Sequence, residues 1–181
     1  AFNLKSLKSC LKNKEEFKKI KSFFKDEQNS LISLNHALCN DGIILEIADK
    51  YSFLKPLIIY NLFDKAVSNK IINSKFFISL GNGSKLSLID FYKPDNNIKY
   101  FYNSIHNYTI KENSILKKFN INSNLDYSYN YISTKVKNYS NSIFENFFLS
   151  LGSAFIKNEV HCDLIDEFSS CFVNGIMFLD G

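Results

Sequence analysis

Two kinds of patterning divide the chain. Up to about Asn40, apolar residues recur three and four positions apart, the spacing of a helix with one buried face. Leu4, Leu7 and Leu11, with Lys5, Lys8 and Lys12 between them, predict a first helix. Asn13 followed by Glu16 resembles a capping box and predicts a second helix that buries Phe17, Ile20 and Phe24. Leu31, Leu34 and Leu38 predict a third, stopped at Asn40-Asp41-Gly42, where Gly42 suits a left-handed cap. Residues 1–41 thus read as an N-terminal helical segment, expected to cover the first strand edge of the remaining chain.

From Gly42 to Gly181 the period changes to two. Short runs rich in β-branched and aromatic residues succeed one another: Gly42–Ile47, Pro56–Leu62, Lys75–Leu80, Lys85–Tyr92, Tyr100–Ile110, Ser114–Ile121, Tyr127–Val136, Ile143–Leu149, Ala154–Leu164 and Cys171–Leu179. No amphipathic helix separates them, which argues against a βαβ plan and for a mainly β fold. Polar turns precede Ser84, Ser114, Ser142 and Ser169 in a weak internal repeat. Its period of roughly 27–30 residues suits one coil of a β-solenoid. Each coil buries its inner face by stacking on the next. By itself the repeat leaves an ordinary sandwich with Ser/Asn-rich turns open. Gly42, Gly81, Gly83, Gly152 and Gly175 are expected at turns, with Asn113 and Asn174 bonding neighbouring coils.

Composition narrows the class. With 45% hydrophobic and 15% aromatic residues in 181, the chain can bury one sizeable core. The net charge is +4, and all 22 basic residues are Lys. Without Arg, whose planar fork reads guanine edges and phosphates, the charge does not indicate nucleic-acid binding. The Lys-rich stretch from Lys5 to Lys25 reads as the solvated face of the helices. The chain starts at Ala1 and stops in mid-pattern, as a fragment would, so the β region is expected to be incomplete at its C-terminus. No apolar run long enough to cross a bilayer and no signal peptide appears, so a cytoplasmic setting with free cysteines is expected.

Candidate chemistry is sparse. His161 and Cys162 are neighbours on a predicted strand and so point to opposite faces; with Asp163 and Cys171 they make a weak metal site at best. Cys171 occupies an apolar position of the repeat, and Cys10 and Cys39 lie on helical segments; all three read as small core residues. His36 and His106 read as exposed or hydrogen-bonded structural histidines. Asp163, Asp166 and Glu167 form an acidic turn that would be a weak glycosidase pair. Gly81-x-Gly83 lacks the third glycine and the helix of a nucleotide fingerprint. No catalytic, cofactor-binding or metal-binding residue is assigned.

Three stretches resemble the SufB/SufD family of iron–sulfur cluster assembly scaffolds. Between Leu34 and Phe63, Leu34, Asn35, Ala37, Gly42 and Pro56 match its opening; Ser79–Asp90 is similar to its Gly/Asn turn. Between Phe147 and Gly181, Ser150, Leu151, Gly152, Asn158, Leu164, Asn174, Gly175 and Gly181 match, while Ser153, Lys157 and Val173 depart from the family's Gly, Arg and Leu. Asp41-Gly42 is closer to the SufD branch, because the SufB branch tends to carry Gly-Gly there. The resemblance implies a right-handed parallel β-helix preceded by short helices. It also implies a non-catalytic scaffold that pairs with SufB-like and SufC-like subunits, the latter an ATPase, with no nucleic-acid or membrane partner. The iron–sulfur cluster would be assembled transiently by the complex and not bound by this chain. The alternatives are a SufB paralogue and a β-helical carbohydrate-active enzyme.

Overall fold

One bend recurs along the β region. Lys50, Gly83, Asn113, Asn141 and Phe168 have φ of 60°, 67°, 58°, 53° and 59°, all left-handed. Their backbones hydrogen-bond down a stack. The N–H of Lys50 donates to Asn82, Gly83 to Glu112, Asn113 to Ser140 and Asn141 to Glu167. In the computed structural model, which describes residues 1–21, 24, 28–39, 41–95, 98–122 and 128–178, each bend swings the chain from one sheet to the other. The result is a parallel β-solenoid of about four turns, as expected.

Sheet A contains β1 (Phe2–Ser6), β2 (Asp41–Ile47), β4 (Lys70–Leu80), β6 (Tyr100–Ile110), β8 (Ser128–Asn138) and β10 (Phe155–Leu164), in that order. Sheet B contains β3 (Leu57–Phe63), β5 (Lys85–Pro94), β7 (Ile115–Asn122), β9 (Ile143–Leu151) and β11 (Ser170–Phe178). The pairings along the solenoid are parallel and in register. The repeated serines align: the Ser84 N–H donates to Ser114 Oγ (3.1 Å), and Ser114 Oγ donates to the Gly81 carbonyl (2.6 Å). Ser84, Ser114 and Ser142 are buried, so the polar repeat seen in the sequence is a column of buried hydroxyls at the bend.

Alternation along the strands turns an apolar set inward near the bends. Leu45, Ile47, Ile78, Leu80, Tyr108, Ile110 and Val136 of sheet A meet Leu86, Leu88, Leu116 and Phe144 of sheet B. Burial of these side chains is the main favourable term, at about 25 cal/mol per Å2 of apolar surface.

The N-terminal segment departs from the helical expectation. Phe2–Ser6 is a strand, antiparallel to β2 with Leu4 opposite Leu45. The helices are α1 (Leu7–Lys12), α2 (Lys14–Ile20) and α3 (Ser30–Leu38), capped by Ser6, Asn13 and Asn29. Asn13 caps as expected, accepting from the N–H groups of Glu15 and Glu16, while the Glu16 carboxylate also pairs with Lys5 at 2.8 Å. On α3 the buried residues are Ile32 and Asn35, and Leu38 is exposed, which corrects the expected Leu31/Leu34/Leu38 stripe. The strand edge of the first coil in sheet A is covered by β1. The helices instead lie on the outer face of sheet A, where Leu7, Cys10, Ile20 and Cys39 pack on Ile44 and Phe77, and Ile32 packs on Ile105 and Tyr131. The stop at Asn40, and the positions Tyr127, Leu179 and Gly181, lie outside the described residues.

Two glycines expected at turns lie inside strands. Gly42 has φ 137° in β2, and a Cβ there would sit 1.8 Å from the Lys75 carbonyl oxygen. Gly175 lies in β11 against the Phe148 ring, 2.3 Å from where a Cβ would be. Close approach of a neighbouring strand or ring is the reason for both. Asn174 is likewise a β11 residue and not a turn residue.

Candidate functional site

The solenoid interior is not uniformly apolar. Register places Leu57, Leu88, Lys118, Asn146 and Val173 in one inward column of sheet B, and Ile59, Asp90, Asn120, Phe148 and Gly175 in the next. Facing them from sheet A is the column Ile43, Phe76, His106, Thr134 and Val160. Lys118, Asp90 and His106 thus meet inside the molecule, each about 1% exposed.

Their contacts form a closed network. Lys118 Nζ lies 3.8 Å from Asp90 Oδ2 and 3.3 Å from His106 Nδ1. Asp90 accepts from the Tyr92 hydroxyl (2.8 Å) and from Asn61 Nδ2 (2.6 Å). His106 Nδ1 lies 2.8 Å from the Tyr108 hydroxyl, and its Nε2 2.9 Å from Ser104 Oγ. With Lys118 presenting N–H groups to Nδ1, the imidazole is neutral and its Nε2–H donates to Ser104. Ser74 Oγ lies 3.0 Å from Ser104 Oγ and 2.7 Å from the Tyr102 hydroxyl, extending the network towards β4.

Burial governs the ionisation of these groups. It lowers Lys118 to about 8, an effect that the Asp90 carboxylate partly offsets. It raises Asp90, against the pull of Lys118, Tyr92 and Asn61. It holds His106 well below the ordinary histidine value, and the Lys118 charge adds to this. Lys118 and Asp90 are placed as an ion pair 3.8 Å apart, with the imidazole held neutral beside them. The groups are competent acids and bases, but they are enclosed, and what they do here is tie β5, β6 and β7 together.

A cleft of about 430 Å3 opens at the first coil, where β2 begins at Asp41 while β4 extends back to Lys70. Ile43, Ile59, Asn61, Phe63, Ile72 and Tyr102 are among the residues that line it. Of these, Asn61 and Tyr102 are both partners in the buried network.

The residues singled out in the sequence are dispersed. His161 faces outward from β10, beside Lys135, Glu159 and Asp163, while Cys162 faces inward, so the two do not share a site. Cys162 and Cys171 both pack against the core from opposite sheets, within hydrogen-bonding reach of each other; burial, then the Cys171 contact, pushes the Cys162 thiol up to about 12. Cys10 and Cys39 are buried core residues, as expected. His36 Nδ1 lies 2.5 Å from Lys75 Nζ beneath α3. Asp166 and Glu167 form an exposed bend, where Glu167 accepts through its carbonyl from Asn141. Gly83 is a left-handed bend residue, unrelated to a nucleotide. Among the described residues no three His, Cys, Asp or Glu side chains are placed to share a metal ion, and no helix is long and apolar enough to cross a membrane.

Sequence reasoning missed Asp90 and Lys118. The signal was present: counting in steps of two from Ser84 and Ser114 puts Asp90 and Lys118 on the inward face.

The comparison with family models agrees with this architecture. The model described as SUF system FeS cluster assembly, SufBD core domain, matches residues 63–181, from the last residue of β3 through β11. No curated protein matches the chain. With two stacked parallel sheets, the serine column at the bends and a family match over most of its length, the chain belongs to the SufBD family of SUF iron–sulfur cluster assembly proteins.

Proposed function

We propose that this chain is a non-catalytic scaffold subunit of a cytoplasmic SUF assembly complex, of the SufD branch, which pairs with a SufB-like subunit and a SufC-like ATPase. The observation that carries this reading is the coincidence of the family match with the solenoid coils. The branch rests on Asp41-Gly42. Gly42 is demanded by its 137° φ and its contact with Lys75, whereas position 41 is exposed and free to distinguish branches. The cluster is cargo of the complex. The inward Cys162 thiol is protonated at neutral pH, and it serves packing together with Cys171.

Co-expression with SufB-like and SufC-like subunits, followed by anaerobic reconstitution, tests the proposal. A ternary complex is expected, together with an isolated chain that retains no iron or sulfide after desalting. A stoichiometric cluster on the isolated chain, lost on Cys162→Ser or Cys171→Ser, would point to the SufB branch instead. Failure to associate with either subunit would remove the scaffold role.

A further inference from the structure

Two columns run down the interior on either side of the left-handed bends. In sheet A register aligns Ile78, Tyr108, Val136 and Cys162. In sheet B it aligns Leu86, Leu116, Phe144 and Cys171. Both columns belong to the one apolar cluster beside the bends. Each coil thus sets one residue of each column on either side of its bend. At Gly83, Asn113 and Asn141 the two are Ile78 and Leu86, Tyr108 and Leu116, and Val136 and Phe144. At Phe168 they are two thiols.

The backbone around these thiols is pinned. The Ile165 N–H donates to the Asn138 carbonyl, the Ser170 N–H to the Ser142 carbonyl, and the Glu167 carbonyl accepts from Asn141. With β10 laddered onto β8 and β11 onto β9, the two sulfurs face each other within hydrogen-bonding reach. A disulfide needs such a preformed approach. Closing one here replaces two small apolar groups by another apolar group. Both residues are half-buried, so a small reagent reaches them. Cys10 and Cys39 differ: they are 1% and 8% exposed, and the Cys39 thiol donates to the Asp41 carbonyl.

We propose that Cys162 and Cys171 are a reversible disulfide site across the bend at Phe168, oxidised by low-molecular-weight disulfides of the glutathione class. The order of events follows from the environment. Burial first, then the Cys171 contact and the Asp163 charge, push the Cys162 thiol up to about 12, which keeps it from attacking first. The Cys171 thiolate attacks one sulfur of the reagent, whose S–S bond breaks. A mixed disulfide forms on Cys171, and one reagent thiolate leaves. Cys162 then gives its proton to a reagent thiolate and attacks the Cys171 sulfur. The protein disulfide forms, the mixed bond breaks, and the second reagent thiol departs. Two protein thiols are oxidised and one reagent disulfide is reduced to two thiols. The inference concerns this chain's own thiols and does not rest on the SufD-like reading; its failure would leave the scaffold role untouched.

Mass spectrometry of the purified full chain, treated with excess oxidised glutathione, quenched in acid and alkylated, tests it. The chain should lose two of its four thiols, yield a linked Cys162–Cys171 peptide and retain no glutathione, with Cys10 and Cys39 alkylated. Dithiothreitol should restore all four. Cys162→Ser should hold one glutathione on Cys171, whereas Cys171→Ser should take up about tenfold less on Cys162. Preorganisation has its own readout: the equilibrium with glutathione should favour the protein disulfide at least about tenfold more in the folded chain than in urea. A chain that keeps four thiols overturns the inference. So does glutathione left unresolved on Cys171 of the native sequence, a bridge to Cys10 or Cys39, or equal equilibria in the folded and urea-unfolded chains.

Discussion

Lys118 holds a charge where an aliphatic stem alone would fill the space. Taking it and Asp90 out of water costs several kcal/mol per ion, and their 3.8 Å separation returns part of that. The asymmetry is testable. Asp90→Ala leaves the Lys118 ammonium buried with no counter-charge, and Lys118→Met leaves Asp90 in the same position. Each should lower the unfolding free energy by about 3–5 kcal/mol. The double variant Asp90→Asn/Lys118→Met should lie well above either single one, as chemical denaturation in a double-mutant cycle would show. Additive losses would mean that the pair is not coupled.

His106 adds a pH dependence of definite sign. Its folded value lies well below 6.5 because burial, reinforced by Lys118, disfavours the imidazolium. As pH falls through 6.5 the unfolded chain takes up this proton first, so the folded state loses stability towards acid. Asp90, raised in the fold, acts in the opposite direction. The informative quantity is therefore the difference between variant and parent: His106→Gln should flatten the loss of stability between pH 6.5 and 5, measured by urea midpoints. The sequence alone showed His106 as structural, but nothing local to it reveals a lysine twelve residues away; only the stacking of coils brings Lys118 to it.

Among the elements, the left-handed bend sets the pitch of the stack. At Asn113 the side chain tolerates φ 58°, and the backbone N–H reaches Ser140 at 3.0 Å. Asn113→Ala should cost about 1–2 kcal/mol, whereas Asn113→Gly should be close to neutral, as thermal unfolding of the two variants would reveal. The strands were legible in the sequence because each alternates over a length set by the serine repeat. β1 was not. Leu4, Leu7 and Leu11 keep a helical interval, yet Leu4 belongs to a strand and Leu7 to α1. What makes Phe2–Ser6 a strand is the waiting edge of β2, far along the chain, and local periodicity carries no trace of such a partner. The α3 stripe failed for a related reason. The outer face of sheet A offers the Ser74 and Asn103 carbonyls, and the buried Asn35 amide donates to both, so helix rotation follows a polar anchor and not the leucines.

At the scale of the whole molecule, the backbone repeats while the interior does not. Every coil offers its neighbour the same bend, the same serine and the same ladder, so by backbone alone any coil could be cut out or exchanged and the stack would close again. The charges forbid it. Asp90 is carried by β5, His106 by β6 and Lys118 by β7, and each is acceptable in the interior only because the others occupy the adjoining levels. The trio therefore works like the wards of a lock: it assigns each coil an address within an otherwise interchangeable series. Slippage of the chain by one whole coil during folding, the error to which a repetitive stack is most exposed, would be marked at once by an ion stranded in the dry interior.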